Sequence, residues 1–122
     1  MDIRSILGRS GERRGEKYLR RLKYRLVARN YNCPLGEIDL IMLDGPTVVF
    51  VEVKTRTGDE HADPQDAVNR DKQDRIGRCA TFFLRQTNSE HRACRFDVLA
   101  ITDSPGEDPH IEHFIDAFVP AR

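Results

Sequence analysis

Two acids and a lysine stand where apolar strands should carry no charge. The run Thr47-Val-Val-Phe-Val-Glu52-Val-Lys54 reads as an interior β-strand, and Asp39 sits just upstream in a second apolar run, Ile38 to Leu43. Valine on both sides of Glu52 marks a segment covered on both faces, where an unpaired carboxylate costs several kcal/mol, on the order of what a whole side chain's burial returns. A purely structural role explains such a residue poorly. Two carboxylates suffice to hold Mg²⁺ (or Mn²⁺), which takes oxygen ligands and keeps several waters. Lys54, two residues beyond Glu52, lies on the same strand face about 6–7 Å away, in reach of a phosphate or an attacking water. Val53 between them offers a backbone carbonyl as a further oxygen ligand. The competing structural explanation is an ordinary Glu52–Lys54 ion pair at a sheet end.

These positions are set by a hairpin. Asp44-Gly45-Pro46 is a turn signal between the two apolar runs, so the strand Glu37–Leu43 and the strand from Thr47 should pair antiparallel. A two-residue loop at Asp44-Gly45 sets Glu37 opposite Glu52; a four-residue loop sets Asp39 opposite Glu52. Either register gathers Asp39, Glu52 and Lys54 on one face, whereas a three-residue loop separates them.

Around this hairpin, Ser10 can cap a helix to about Lys23, followed by a short strand Tyr24–Ala28 and a loop Asn30–Gly36. Thr55 to Ala62 reads as a polar loop. Asp63-Pro64 starts a second helix running to about Arg85, Arg95–Thr102 forms a strand, Ser104–Pro109 turns, and Ile111–Phe118 forms a last edge strand. The order points to an α/β sandwich with a mixed central sheet flanked by helices.

The totals bound the rest. A chain of 122 residues, 39% hydrophobic, supports one domain spanning 1–122. No apolar run approaches the roughly 18 residues of a membrane span and the first residues lack a secretory core, so a cytoplasmic, non-membrane protein is expected. Three cysteines without paired spacing, Cys33, Cys79 and Cys94, argue against a disulfide framework and a structural zinc site. The net charge is zero, yet residues 1–30 hold ten Arg/Lys against three acids. That segment would attract a phosphate backbone, and a solvated helix face accounts for it equally well. Lys72, Arg75 and Arg78 on the second helix allow the same two explanations. His110 and His113 fall on opposite faces of the last strand and read as a surface pair; Cys33 and His61 make a nucleophilic pair only by conjecture.

Gly36-Glu-Ile-Asp39-Leu-Ile41 followed by Val49-Phe-Val-Glu52-Val-Lys54-Thr-Arg56 resembles the signature of the YraN-like family of bacterial proteins. That family is assigned to the restriction-endonuclease-like PD-(D/E)xK superfamily and is similar to archaeal Holliday junction resolvases. The likeness extends to Gly8, Gly11-Glu12, Tyr18-Leu19, Arg29-Asn30, Ala67-Val68, Lys72, Arg75-Ile76 and Arg95-Phe-Asp97-Val98. It implies a restriction-endonuclease-like sandwich, with Asp39 and Glu52 as metal ligands, Lys54 as the catalytic lysine and Glu12 as an additional acid from the first helix. Glu37 is a motif residue of less defined role. Glu12 and Glu16 share one helix face, and Gly15-Glu16 departs from the small apolar residues usual there, so either acid can point at the metal. The superfamily's proline is replaced by Ile38. The expectation is a Mg²⁺-dependent endonuclease acting on nucleic acid, DNA of branched or irregular structure foremost, with Arg9, Arg13, Lys72 and Arg75 on phosphates and a homodimer if two strands are cut symmetrically. Its rivals are a non-catalytic nucleic-acid-binding module of the same fold and a protein-interaction domain.

Overall fold

The computed structural model describes residues 3–57 and 68–120, and in them each apolar run of the sequence becomes a strand of one sheet. The elements are α1 (Ile3–Arg21), β1 (Arg25–Cys33), β2 (Gly36–Asp44), β3 (Thr47–Thr57), α2 (Arg70–Gln86), β4 (Cys94–Asp103) and β5 (His110–Phe118). The strands lie in sequence order, β1-β2-β3-β4-β5, with every neighbour antiparallel except β3 and β4, which the α2 crossover makes parallel.

Alternation along the strands sorts the core into two layers. Val48, Phe50 and Val98 face α2, where Ile76, Cys79, Ala80 and Phe83 recur at helical spacing. Val49, Val51 and Leu99 face α1 and its Leu19. The fold is thus a mixed sheet with one helix on each face, an α/β architecture compatible with a restriction-endonuclease-like sandwich.

The β2–β3 hairpin closes at Asp44↔Thr47, leaving Gly45-Pro46 as the loop, with Gly45 at φ +57° as the positive-φ residue of a primed turn. Several expected boundaries move. α1 runs through Ser10 instead of starting there. Its buried stripe is Gly11, Gly15 and Leu19, and the two glycines bring the helix axis close to the sheet. A Cβ at Gly11 would collide with the Thr55 hydroxyl, and one at Gly15 would come within 3.0 Å of Leu99 Cδ1. Packing therefore overrides the poor helix propensity of glycine. The expected loop at Asn30 is strand: β1 continues to Cys33, paired with Gly36, so the turn shrinks to Pro34-Leu35. β3 likewise takes in Thr55–Thr57 through its pairing with β4. α2 carries its N-cap at Asn69, whose side chain accepts the Lys72 N–H at 2.9 Å. The expected cap at Asp63-Pro64 lies outside the described residues.

One buried polar knot holds the α1 layer to the sheet. Asp97, fully buried, accepts Arg95 Nε at 3.0 Å and the Asp116 N–H at 3.0 Å, and sits 2.8 Å from His113 Nε2. Arg95 also donates to Asp44 at the hairpin end (2.9 Å) and to the Tyr24 hydroxyl just past α1 (2.7 Å). His113 is therefore no surface residue. It is buried, with Tyr18 and Tyr24 edge-on to its ring, while His110 alone is exposed. Asp97→Ala would leave Arg95 and the Asp116 N–H buried without their acceptor, and removing one partner of such a pair costs about 3–5 kcal/mol. Urea denaturation is expected to show a loss of this size; a loss below about 1 kcal/mol would mean the knot is dispensable.

Candidate active site

The site is built where two neighbouring strands part company. β2 and β3 pair from Asp44↔Thr47 only as far as Leu40↔Val51. Beyond that point β2 continues on its partner β1 (Tyr31↔Ile38, Asn32↔Glu37, Cys33↔Gly36) and β3 on its partner β4 (Glu52↔Val98 to Thr57↔Asp103). The sheet forks. Asp39 and Glu52 are level with each other at the first step past the last pair. A backbone N–H freed at such a fork needs an acceptor, and Asp39 supplies it: its Oδ2 takes the Val53 N–H at 2.8 Å.

Five elements contribute to this fork. Asp39 lies beside Glu12 of α1 and Glu52 of β3, near enough for each to alter the other's proton affinity. One carboxylate oxygen each from Glu12, Glu37 and Asp39 lie within 4.8 Å of one another. Glu52, its side chain 8% exposed, is held from the other helix by Lys72 Nζ at 2.5 Å. Asn30 of β1 lies near enough to Glu12 to lower its proton affinity.

Crowding carboxylates into a poorly solvated fork raises their proton affinity. Burial pushes Asp39 up to about 6, with the charge of Glu12 adding to the rise and the Val53 N–H opposing it. Glu52 is pushed up to about 7 by burial and then by Asp39, against the pull of Lys72. Glu12 is also raised, by burial foremost. For Lys72 burial alone would lower the ammonium, but its bond to Glu52 wins and the net shift is upward. Asp97 runs the other way: burial favours its neutral form, yet His113, Arg95 and the Asp116 N–H together hold its carboxyl below the usual range. The Asp97 knot is electrostatically satisfied, and the fork is not.

Glu12 and Glu16 have different neighbours. Glu16 is bound by Arg29 (2.6 and 3.0 Å) and Arg20 (3.1 Å), and the Arg29 hydrogen bond holds its carboxyl low, whereas Glu12 reaches Asp39. Lys54 sits opposite Ala100 of β4, partly buried, and makes no ion pair among the described residues. The lysine that meets Glu52 is Lys72, brought by α2 from twenty residues downstream. Only its place in the first helical turn of an Asn69-capped helix could have signalled that. Cys33 likewise has Cys79 as its neighbour; His61 lies outside the described residues.

Two openings flank the fork. An open groove of about 930 Å³ runs beside α1 and β1, walled by Arg9, Arg13, Lys17, Arg20, Arg21, Lys23 and Arg29, with Glu12 at its edge. A smaller cleft of about 380 Å³ lies between β2 and α2, lined by Gly36, Glu37, Lys72 and Arg75 among others.

A carboxylate fork in a mixed sheet between two helices, fronted by a basic groove, defines an α/β protein of restriction-endonuclease-like architecture. The chain belongs to the uncharacterised protein family UPF0102, whose family model matches residues 11–101. It is similar to the UPF0102 protein of Pelotomaculum thermopropionicum, 40% identical over 118 residues that cover 96% of this chain and 98% of the relative. It is also similar to that of Geobacter metallireducens, 45% identical over 112 residues, 92% and 91% of the two chains. Among the described residues no helix is long and apolar enough to cross a membrane.

The raised acids give a pH signature. Because the folded pKa of Asp39 lies above its ordinary value of 3.8, the unfolded chain ionises first, and folding stability falls as pH rises from about 4 through 6. Asp39→Asn keeps an acceptor for the Val53 N–H and removes the charge. In chelator-treated buffer the variant is expected to gain on the order of 2–3 kcal/mol over wild type at pH 8, shrinking to under about 1 kcal/mol at pH 4. A difference independent of pH in paired urea titrations would contradict this electrostatic account.

Proposed function

We propose that this protein is a Mg²⁺- or Mn²⁺-dependent endonuclease that hydrolyses phosphodiester bonds of nucleic acid, with branched or otherwise structured DNA as the substrate class. The observation that carries the reading is the fork itself: carboxylates from three elements meet at Asp39 with raised proton affinities. Such a group gains most from a hard divalent cation, and its donor set, all oxygen, fits one. Asp39 would be the shared ligand, with Glu12 and Glu37 inside ligand distance of it and Glu52 in contact. Val53 turns its N–H to Asp39, and a strand residue's carbonyl leaves from the same edge as its N–H, so that oxygen also faces the fork. When bound, the cation would polarise the phosphate and acidify a water.

The chain's own groups have separate tasks. Arg9 and Arg13, exposed on α1 beside the groove, attract and position the backbone without reading sequence. Lys72 holds the Glu52 carboxylate in place. Lys54, in no ion pair among the described residues, is available to steady charge on the phosphate or orient the attacking water. Arg75 lines the cleft through which a strand could leave.

Labelled junction, flap and duplex substrates are expected to be cut in Mg²⁺ or Mn²⁺ and not in chelator. Glu52→Gln and Lys54→Ala should each slow cutting by about 100-fold or more while leaving binding within a few-fold. Intact binding with no cutting by any form would instead identify a binding module on the same fold. The groove makes a second expectation: in Arg9→Ala/Arg13→Ala, the slope of log K against log salt should fall by about two. An unchanged slope would remove α1 from the interface.

A further inference from the structure

Cys33 ends β1 and is partly exposed; Cys79 lies buried on the sheet-facing side of α2. Their sulfurs are 2.9 Å apart although 46 positions separate them in sequence. The Cys33 thiol donates to Cys79, the Cys79 thiol points at the Gly36 carbonyl (3.6 Å), and the Leu35 N–H points at the Cys33 sulfur (3.3 Å). A disulfide needs its sulfurs at about 2.05 Å, so closure asks for less than about 1 Å of movement from side chains already aimed at each other. We propose that Cys33 and Cys79 are a thiol pair that oxidises reversibly to an intramolecular disulfide, tying the β1–β2 turn to α2.

The chemistry balances with a hydroperoxide as oxidant. The peroxide transfers one oxygen to the Cys33 sulfur, the more accessible of the two, giving a sulfenic acid and releasing water or an alcohol. The Cys79 sulfur then attacks the Cys33 sulfur: the S–S bond forms, the S–O bond breaks, and the hydroxyl leaves as water with the Cys79 proton. Two thiols lose two electrons and two protons in all. A dithiol reductant reverses the step by exchange. Cys33 is the partly exposed thiol and Cys79 the buried one, so peroxide reaches Cys33 first and Cys79, already in contact with it, closes the bond.

The tie has structural reach. Cys79 is seven residues, two helical turns, from Lys72 on the same face of α2, and Gly36, whose carbonyl it contacts, precedes Glu37. The disulfide would fix the distance between the two walls of the smaller cleft. This inference does not depend on nuclease activity, because its readout is covalent.

The full chain, reduced and then exposed to one equivalent of hydrogen peroxide, is expected to lose two hydrogens in intact mass. A non-reducing peptide map should join the Cys33 and Cys79 peptides, and dithiothreitol should separate them. The oxidised form should melt roughly 5–15 °C higher than the reduced form. In Cys79→Ala the Cys33 sulfenic acid should persist long enough for capture by dimedone. A map joining either cysteine to Cys94, a link between chains, or Cys33 passing to sulfinic acid in the unaltered chain would overturn the proposal.

Discussion

The parting of β2 from β3 governs the chemistry available to this protein. While the two strands remain paired, their backbone groups satisfy one another and their side chains are apolar. One step beyond Leu40↔Val51 the ladder stops, and the Val53 N–H must find another acceptor. A carboxylate meets that need at the cost of its own solvation. Asp39 is therefore drawn into the sheet by a structural duty, and the same duty sets it beside Glu52 and lifts the proton affinity of both. The free energy that keeps the fork organised and the unrest of its acids have one source.

Both helices converge on that point for reasons local to each. The glycine stripe of α1 lets its axis come down onto Thr55 and Leu99, which brings Glu12 within reach of Asp39. The Asn69 cap starts α2 where its first turn can deliver Lys72 to Glu52. At the Asp97 knot, by contrast, every charge has its opposite: Arg95 spans Asp97, Asp44 and Tyr24, and His113 completes the shell. Two buried acidic sites on one sheet thus differ in kind. Asp97 is held below the ordinary carboxylate range because His113, Arg95 and the Asp116 N–H together outweigh its burial, and Asp39 is held above because burial, with the charge of Glu12 adding to it, outweighs the Val53 N–H.

How much of this was legible in the sequence follows the range of the interactions. The β2–β3 hairpin, the strand after a long helix and the edge strand at the end all rest on local period and turn chemistry, and they stand where patterning put them. Asp39 and Glu52 were visible because charge interrupts an apolar run. What escaped is non-local. Asn30, Asn32 and Pro34 make the end of β1 look like loop, and only the partner residues 36–38 of β2 hold it as strand. Ser10 looks like a cap because glycines surround it, and only the sheet beneath keeps α1 helical there. His113 looks like half of a surface pair because its partner, Asp97, lies on another strand. Lys72 looks like one more solvated cation for the same reason.

Zero net charge conceals a separation that matters more than the total. The groove beside α1 is lined by seven arginines and lysines, two of them paired with Glu16, and it shares Glu12 with the fork. A polyanion drawn into that groove would be attracted along its length and repelled at the acids. Lys72 cannot resolve this conflict, since it is already engaged with Glu52 and sits in the opposite cleft. Under the proposed reading, a divalent cation among Glu12, Glu37 and Asp39 is what would let phosphate and carboxylates share one place. Adding positive side chains instead would saturate the acids as Arg95 saturates Asp97, leaving a tight structural knot where a reactive centre is wanted. Under that reading, the fork's deficit of positive charge is the property that would separate a hydrolytic site from a merely stable one.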